Sequence, residues 1–264
     1  MTGRYAAMFD RLSARREGAF GAFVMLGDPG LPTSAAILHA LAEAGADMLE
    51  VGIPFSDPVA DGPVIQAAAD RALKQGVTPP DCLGLLAEFR ANHPDVPVGI
   101  LTYANLVMAA GREAFYRAAA AAGVDSVLVA DVPSLEAEPF VAAAAAAGVD
   151  PVLIAAPNTP ETTLARIAKL GRGYTYCVAR VGVTGADRAM ELDHARLFAT
   201  LARHAAPPPI LGFGISTPDH VSAALAAGAA GVISGSAIVK LVEAGDSQAV
   251  RTFVTEMKAA TRAE

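Results

Sequence analysis

Glu50 and Asp61 are the two residues of this chain whose types and setting suit proton chemistry. Glu50 stands inside the apolar run 47–53, DMLEVGI, which reads as a buried strand. Asp61 lies in the loop that follows, among Pro54, Asp57, Pro58 and Pro63. A charge in apolar surroundings costs several kcal/mol unless it is paired or neutralised. Glu50 therefore either pairs with a buried Arg or Lys, or is held in place for its chemistry. A carboxyl in an apolar pocket keeps its proton and can donate it, whereas one in a wetter loop stays anionic. The pair would suit general acid/base work; for Asp61 a turn role ahead of Gly62–Pro63 is the plain alternative. Asp57, in the triplet SDP, reads as a turn former.

Two further stretches carry ligand-binding signals. LGFGIS (211–216) and ISGSAIVK (233–240) each end a strand in glycine, and Ser236 opens a helix. Glycine lets backbone N–H groups approach a ligand, and a helix N-terminus attracts anions. A turn and an N-cap are the ordinary reading of Gly235 and Ser236. Two such signals on the last two strands favour a phosphate site. The segment RVGVTGADRAMELD (180–193) is polar and holds Gly182 and Gly185, so it reads either as a lid over a substrate or as a surface loop.

The elements that must position these residues follow a repeated grammar. EAGADMLEVG (43–52), AAGVDSVLVAD (122–131), AAGVDPVLIAA (147–156) and AAGAAGVISGS (227–236) each run from an alanine-rich helix through a glycine into a short aliphatic strand. Repetition of that unit means parallel βαβ connections. Strands are expected at 19–25, 47–53, 96–101, 125–130, 150–155, 174–178, 209–213 and 231–235. Helices are expected at 33–44, 81–92, 111–122, 136–147, 161–170, 190–204 and 218–227, with a short one from Ser236 and a last one over 246–262. Eight strands with a helix after each fit an α/β fold of the (β/α)8 TIM-barrel type. An open doubly wound sheet is the rival, but no G-x-G-x-x-G follows the first strand. The segment 4–15 would be an extra helix over the barrel bottom, and 62–75 an extra helical turn. With no linker-like segment, residues 1–264 read as one domain. In a barrel, the reacting groups sit where strands end, which is where Glu50 and the two glycine-bearing loops fall.

Composition narrows the function classes. The chain is 53% hydrophobic but 6% aromatic, without Trp, so its core is built mostly from Ala, Val, Leu and Ile. A net charge of −7 offers no basic face for nucleic acid or anionic membrane. It leaves room for a small phosphorylated ligand, which backbone N–H groups can hold. Cys82 and Cys177 cannot form a disulfide framework or a four-cysteine zinc site; no metal site is expected, and two reduced thiols suit a cytoplasmic protein. The opening stretch does not read as a secretory signal. No apolar run approaches the roughly 20 residues of a membrane helix.

Taken together, LEVGIPFSDPVADGP (49–63), LGDPG (26–30), YANLV (103–107), GVDSVLVADVP (123–133), VTGA (183–186) and GFGIS…SGSAIVK closely resemble the tryptophan synthase α subunit family over essentially the whole chain. The resemblance implies retro-aldol cleavage of indole-3-glycerol phosphate to indole and glyceraldehyde 3-phosphate. It implies that Glu50 exchanges protons at indole C3 and at the glycerol hydroxyl, while Asp61 stabilises the charge that develops on the indole nitrogen. It assigns Phe23, Leu101, Leu128, Ala130 and Ile154, with Ile233, to the substrate pocket, and Tyr176 to a place beside the reacting groups. Gly185, Phe213, Gly214, Gly235 and Ser236 would hold the phosphate. Thr184 would be a lid threonine bonding to Asp61. The resemblance further implies a β subunit partner in an α2β2 heterotetramer, with pyridoxal phosphate in that partner and no cofactor in this chain. Met25, residues 66–72 and residues 107–111 depart from enteric members of the family. A stand-alone indole-releasing lyase and an inactive activator of the β subunit are the other readings. Without the resemblance, a sugar-phosphate isomerase would lead.

Overall fold

The computed structural model describes residues 3–178 and 190–262. The first half runs α1 (Arg4–Arg15), β1 (Ala19–Met25), α2 (Leu31–Glu43), β2 (Met48–Gly52), α3 (Pro63–Lys74), α4 (Pro79–Asn92), β3 (Val98–Thr102), α5 (Ala104–Ala109), α6 (Arg112–Ala121) and β4 (Ser126–Val129). The second half runs α7 (Glu138–Ala147), β5 (Asp150–Pro151), β6 (Leu153–Ala155), α8 (Glu161–Leu170), β7 (Thr175–Val178), α9 (Met190–Arg203), β8 (Pro209–Gly212), α10 (Pro218–Ala226), β9 (Gly231–Ser234), α11 (Ser236–Glu243) and α12 (Ser247–Ala259).

All paired strands are parallel, in the order β5-β4-β3-β2-β1-β9-β8-β7-β6. The two ends of that order, β5 and β6, are one strand interrupted at Val152, so the sheet closes on itself. Val152 N–H donates to the Val127 carbonyl at 3.1 Å across the interruption. Pro151, which has no N–H to give the ladder, sits at the break. The result is the expected (β/α)8 barrel. Two apolar shells hold it. One lies between sheet and helices, and the other fills the barrel from α1 upward through Tyr5, Met48, Tyr174 and Tyr176.

The strands and most helices fall within a few residues of their expected positions, and α1 and α8 match them. Two elements differ. Residues 62–75 form a full helix, α3, because Pro63 is preset for a first helical position and Ile65, Ala68, Ala69 and Ala72 bury one face. The YANLVM stretch (103–108), outside every expected helix, contains α5. Its first amide, Ala104 N–H, is satisfied at 2.8 Å by the carboxylate of Asp131, a loop residue far downstream. Helix α4 starts at Pro79, ahead of the expected 81. A reciprocal cap fixes that start, with Thr78 N–H donating to Asp81 at 2.9 Å and Asp81 N–H donating back to Thr78.

Candidate active site

β2 places Glu50 in register between Phe23 of β1 and Gly99 of β3, facing the barrel interior. The side chain is 1% exposed. Its Oε1 accepts the Tyr174 hydroxyl at 2.9 Å, and Oε2 is buried without a partner. A buried Arg or Lys, the alternative reading of Glu50, is not what meets it. Burial pushes the carboxyl up to about 8, opposed by the Tyr174 hydrogen bond and helped by the negative charge of Asp61. Burial also raises the Tyr174 phenol, so it remains a donor. Tyr174 immediately precedes β7, which lies diametrically across the barrel from β2. Gly99 leaves room for the hydroxyls beneath Glu50. A Cβ there would come within 2.6 Å of Ser126 Oγ, 3.0 Å of the Tyr5 hydroxyl and 3.6 Å of the Tyr174 hydroxyl. Tyr5 bonds Ser126 at 2.8 Å, and its ring lies 5.3 Å from that of Tyr174. The floor under Glu50 is thus a compact hydroxyl cluster.

Asp61 is held by its loop and by two neighbouring elements. Its N–H donates to the Pro58 carbonyl at 3.0 Å, while Gln66, in the first turn of α3, donates to its carbonyl at 2.7 Å. The Tyr103 hydroxyl accepts Ala60 N–H at 3.2 Å, and its ring stacks on Phe55. Asp57 forms the expected turn, its carbonyl accepting Val59 N–H at 2.9 Å. Asp61 is half-buried. Burial pushes its carboxyl up to about 6, against the lowering effect of the Tyr103 hydroxyl. The two shifts favour a protonated Glu50 and an ionised Asp61 near neutral pH, with Asp61 close enough for its charge to raise Glu50 further.

The apolar residues assigned to the pocket converge. Phe23, Leu128, Tyr176 and Ile233 belong to the inner shell, with Leu101, Ala130 and Ile154 partly buried against it. Tyr176 meets Phe213 edge-on, at 6.2 Å between ring centres and 88°. Phe213 and Gly214 take positive φ values of 68° and 77°, a left-handed turn after β8. Ser234 at the end of β9 donates to the Ile215 carbonyl at 2.6 Å, tying the loops after β8 and β9 together. Gly235 begins α11 with no side-chain cap, so the amides of Ser236 and the residues after it face out of the helix end. Phe23 lies 3.4 Å from where a Gly235 Cβ would stand, which joins this amide-rich end to the apolar interior.

Thr184 and Gly185, with residues 180–189 of the segment read as a lid, lie outside the described residues; its last part, 190–193, opens α9. Two site residues escaped the sequence reading, Tyr174 and Tyr103. Strand parity held a signal for the first: residues two apart on a strand share a face, so Tyr174 lies one layer beneath Tyr176. Among the described residues, no three His, Cys, Asp or Glu side chains are grouped to hold a metal, and no helix is long and apolar enough to cross a membrane. Cys82 and Cys177 are free, buried thiols.

The family model for the tryptophan synthase alpha chain matches residues 9–263. The chain is 54% identical over 264 residues to the tryptophan synthase alpha chain of Shewanella amazonensis, covering 98% of this chain and 99% of the relative. It is 53% identical over 265 residues to that of Escherichia coli, covering 98% and 99%. Among solved structures, tryptophan synthase from Mycobacterium tuberculosis superposes with a TM-score of 0.91 at 31% identity, covering 100% of both chains. The tryptophan synthase alpha chain of Legionella pneumophila superposes with a TM-score of 0.88 at 29% identity, covering 99% of this chain and 98% of the other.

Proposed function

This chain belongs to the tryptophan synthase alpha chain family, and from that premise we infer that it is a lyase cleaving indole-3-glycerol phosphate to indole and glyceraldehyde 3-phosphate. The observation that carries the mechanism is the Glu50 carboxyl, 1% exposed with Oε2 unpartnered, whose burial favours its protonated form, with the half-buried Asp61 near enough for its charge to be felt. Carbon–carbon cleavage needs the indole ring to accept electrons. Glu50 gives its proton to indole C3, and positive charge develops at the ring nitrogen, where the Asp61 carboxylate stabilises it. The Glu50 carboxylate then takes the proton of the adjacent glycerol hydroxyl as the C–C bond breaks. The bonding pair returns to the ring, indole leaves, and Glu50 is again protonated. The cycle consumes no external acid or base.

The apolar lining of Phe23, Leu101, Leu128, Ala130, Ile154 and Ile233 takes the indole ring. The backbone of Phe213, Gly214, Gly235 and Ser236 takes the phosphate through N–H groups and a helix N-terminus, with Gly185 as a further contact and Thr184 acting on Asp61. No cofactor of this chain takes part in these steps. Indole then passes to a β subunit, in an α2β2 assembly, whose pyridoxal phosphate carries the second reaction. In support, large apolar side chains stand exposed on the connections after β2, β3 and β4, at the same barrel end: Val59 (81%), Met108 of α5 (50%) and Leu135 (68%). A patch of that kind on the face that opens the site suits a partner. We assign the enzyme to the cytoplasm.

The deciding assay is indole release from indole-3-glycerol phosphate by the purified chain, alone and with a matched β subunit. Release in either condition supports the lyase. Release that the β subunit leaves unchanged would favour the stand-alone enzyme. No release in both would overturn the reading.

A further inference from the structure

One buried ion pair is used by none of these steps. Asp28, in the loop after β1, is 3% exposed. It receives a two-pronged contact from Arg71, with Nε to Oδ1 and Nη2 to Oδ2 both at 2.8 Å. The third prong, Nη1, reaches Glu243 at 2.8 Å. Arg71 is in the last turn of α3 and Glu243 is the last residue of α11. The first turn of α3 grips Asp61 through Gln66, and the first turn of α11 begins at Ser236. A single guanidinium therefore joins the far ends of two helices, one beginning beside the Asp61 loop and the other at Ser236. Helices α3 and α11 also pack on each other and on β1.

We propose that Arg71 is a positioning residue for the reaction, holding the helix whose first turn bonds the Asp61 main chain at a fixed distance from the helix that receives the phosphate. The inference rests on the lyase reading above. A helix transmits a shift along its axis because its hydrogen-bond ladder is stiff. Loosening the α3 end moves Gln66 and with it the Asp61 main chain; loosening the α11 end moves the phosphate amides. The chemistry of the clamp demands arginine. Three N–H vectors in one plane reach two carboxylates, which lysine, a point charge on a flexible stem, cannot reproduce.

The test compares Arg71→Lys, Glu243→Gln and Gln66→Ala with the wild type in the full chain, each checked for fold by circular dichroism and thermal unfolding. Arg71→Lys is expected to lower kcat by about tenfold or more, since misplacement of a catalytic group by about 1 Å can cost a hundredfold. Glu243→Gln touches only an exposed arm. It is expected to raise KM, and to weaken inorganic phosphate binding measured by calorimetry, by about threefold with kcat held, the scale of one exposed ion pair. Gln66→Ala is expected to lower kcat with phosphate binding unchanged. If Arg71→Lys does not fold, the opposite signatures of the other two variants carry the test. A fall in melting temperature with kcat, KM and phosphate affinity unchanged in all folded variants would make the clamp purely structural and overturn the proposal. Absence of indole release by the wild type would instead strike the lyase reading, and the phosphate measurements would still judge the clamp.

Discussion

At the scale of single residues, the pH behaviour of the two carboxyls is the sharpest consequence of the structure. With Asp61 at about 6 and Glu50 at about 8, kcat/KM for indole release is expected to follow a bell with limbs near those values. Tyr174 pulls the Glu50 value down, so Tyr174→Phe should move the alkaline limb upward while the acid limb stays. Glu50→Gln and Asp61→Asn should each abolish most turnover while inorganic phosphate binding, measured by calorimetry, persists. Stability gives a second reading of Glu50. Its folded value lies above the ordinary 4.5, so its contribution is fully present below that pH and is lost as pH rises toward about 8. Glu50→Gln should match the wild type in urea unfolding at pH 4 and exceed it by several kcal/mol, to order of magnitude, above pH 8. Glu50 was legible in the sequence because a carboxylate among Met48, Leu49, Val51 and Ile53 is costly enough to need a reason. Tyr174 was not, because a tyrosine in an apolar strand is unremarkable until the residue across the barrel is known.

At the scale of elements, the glycine that ends β8 sets a limit on the site. A Cβ on Gly212 would stand 2.2 Å from the Tyr176 hydroxyl and 2.4 Å from its ring carbon. An aromatic ring wedged in the inner shell cannot yield as a flexible side chain would. Gly212→Ala should therefore cost about 1–3 kcal/mol in thermal unfolding and lower turnover, and Tyr176→Phe in the same chain should recover part of both. Local pattern made the glycine-to-strand units readable, since a helix, a glycine cap and a buried strand leave signatures within ten or so residues of one another. Helix α5 left no such signature. Its first amide is satisfied by Asp131, a side chain from the next βα loop that lies far away in sequence. The same logic separates Asp61, visible beside Gly62 and Pro63, from Tyr103, whose place under the Asp61 loop depends on how two loops meet.

At the scale of the whole molecule, the exposed Val59, Met108 and Leu135 make docking and catalysis neighbours, because Val59 and Asp61 share a loop. A matched β subunit is expected to raise the rate of indole-3-glycerol phosphate cleavage by one to two orders of magnitude, about 1.4–2.8 kcal/mol in the barrier. Met108→Asp and Leu135→Asp should weaken that activation, read as a higher β concentration at half-effect, while the rate of the chain alone is kept. The barrel itself was readable from its repeats, but its closure was not: the interrupted strand at Val152 and the contact between opposite walls exist only in three dimensions. That contact also sets an order of events during synthesis. Glu50 leaves the ribosome well before Tyr174, 124 positions later. A nascent chain that has reached only β4 carries the glutamate on a half-open sheet, wet and ionised like any surface carboxylate. The group becomes an acid only when the far wall arrives, so each polypeptide acquires its chemistry at the moment its barrel is complete, and truncated chains released early carry the residue without the reactivity.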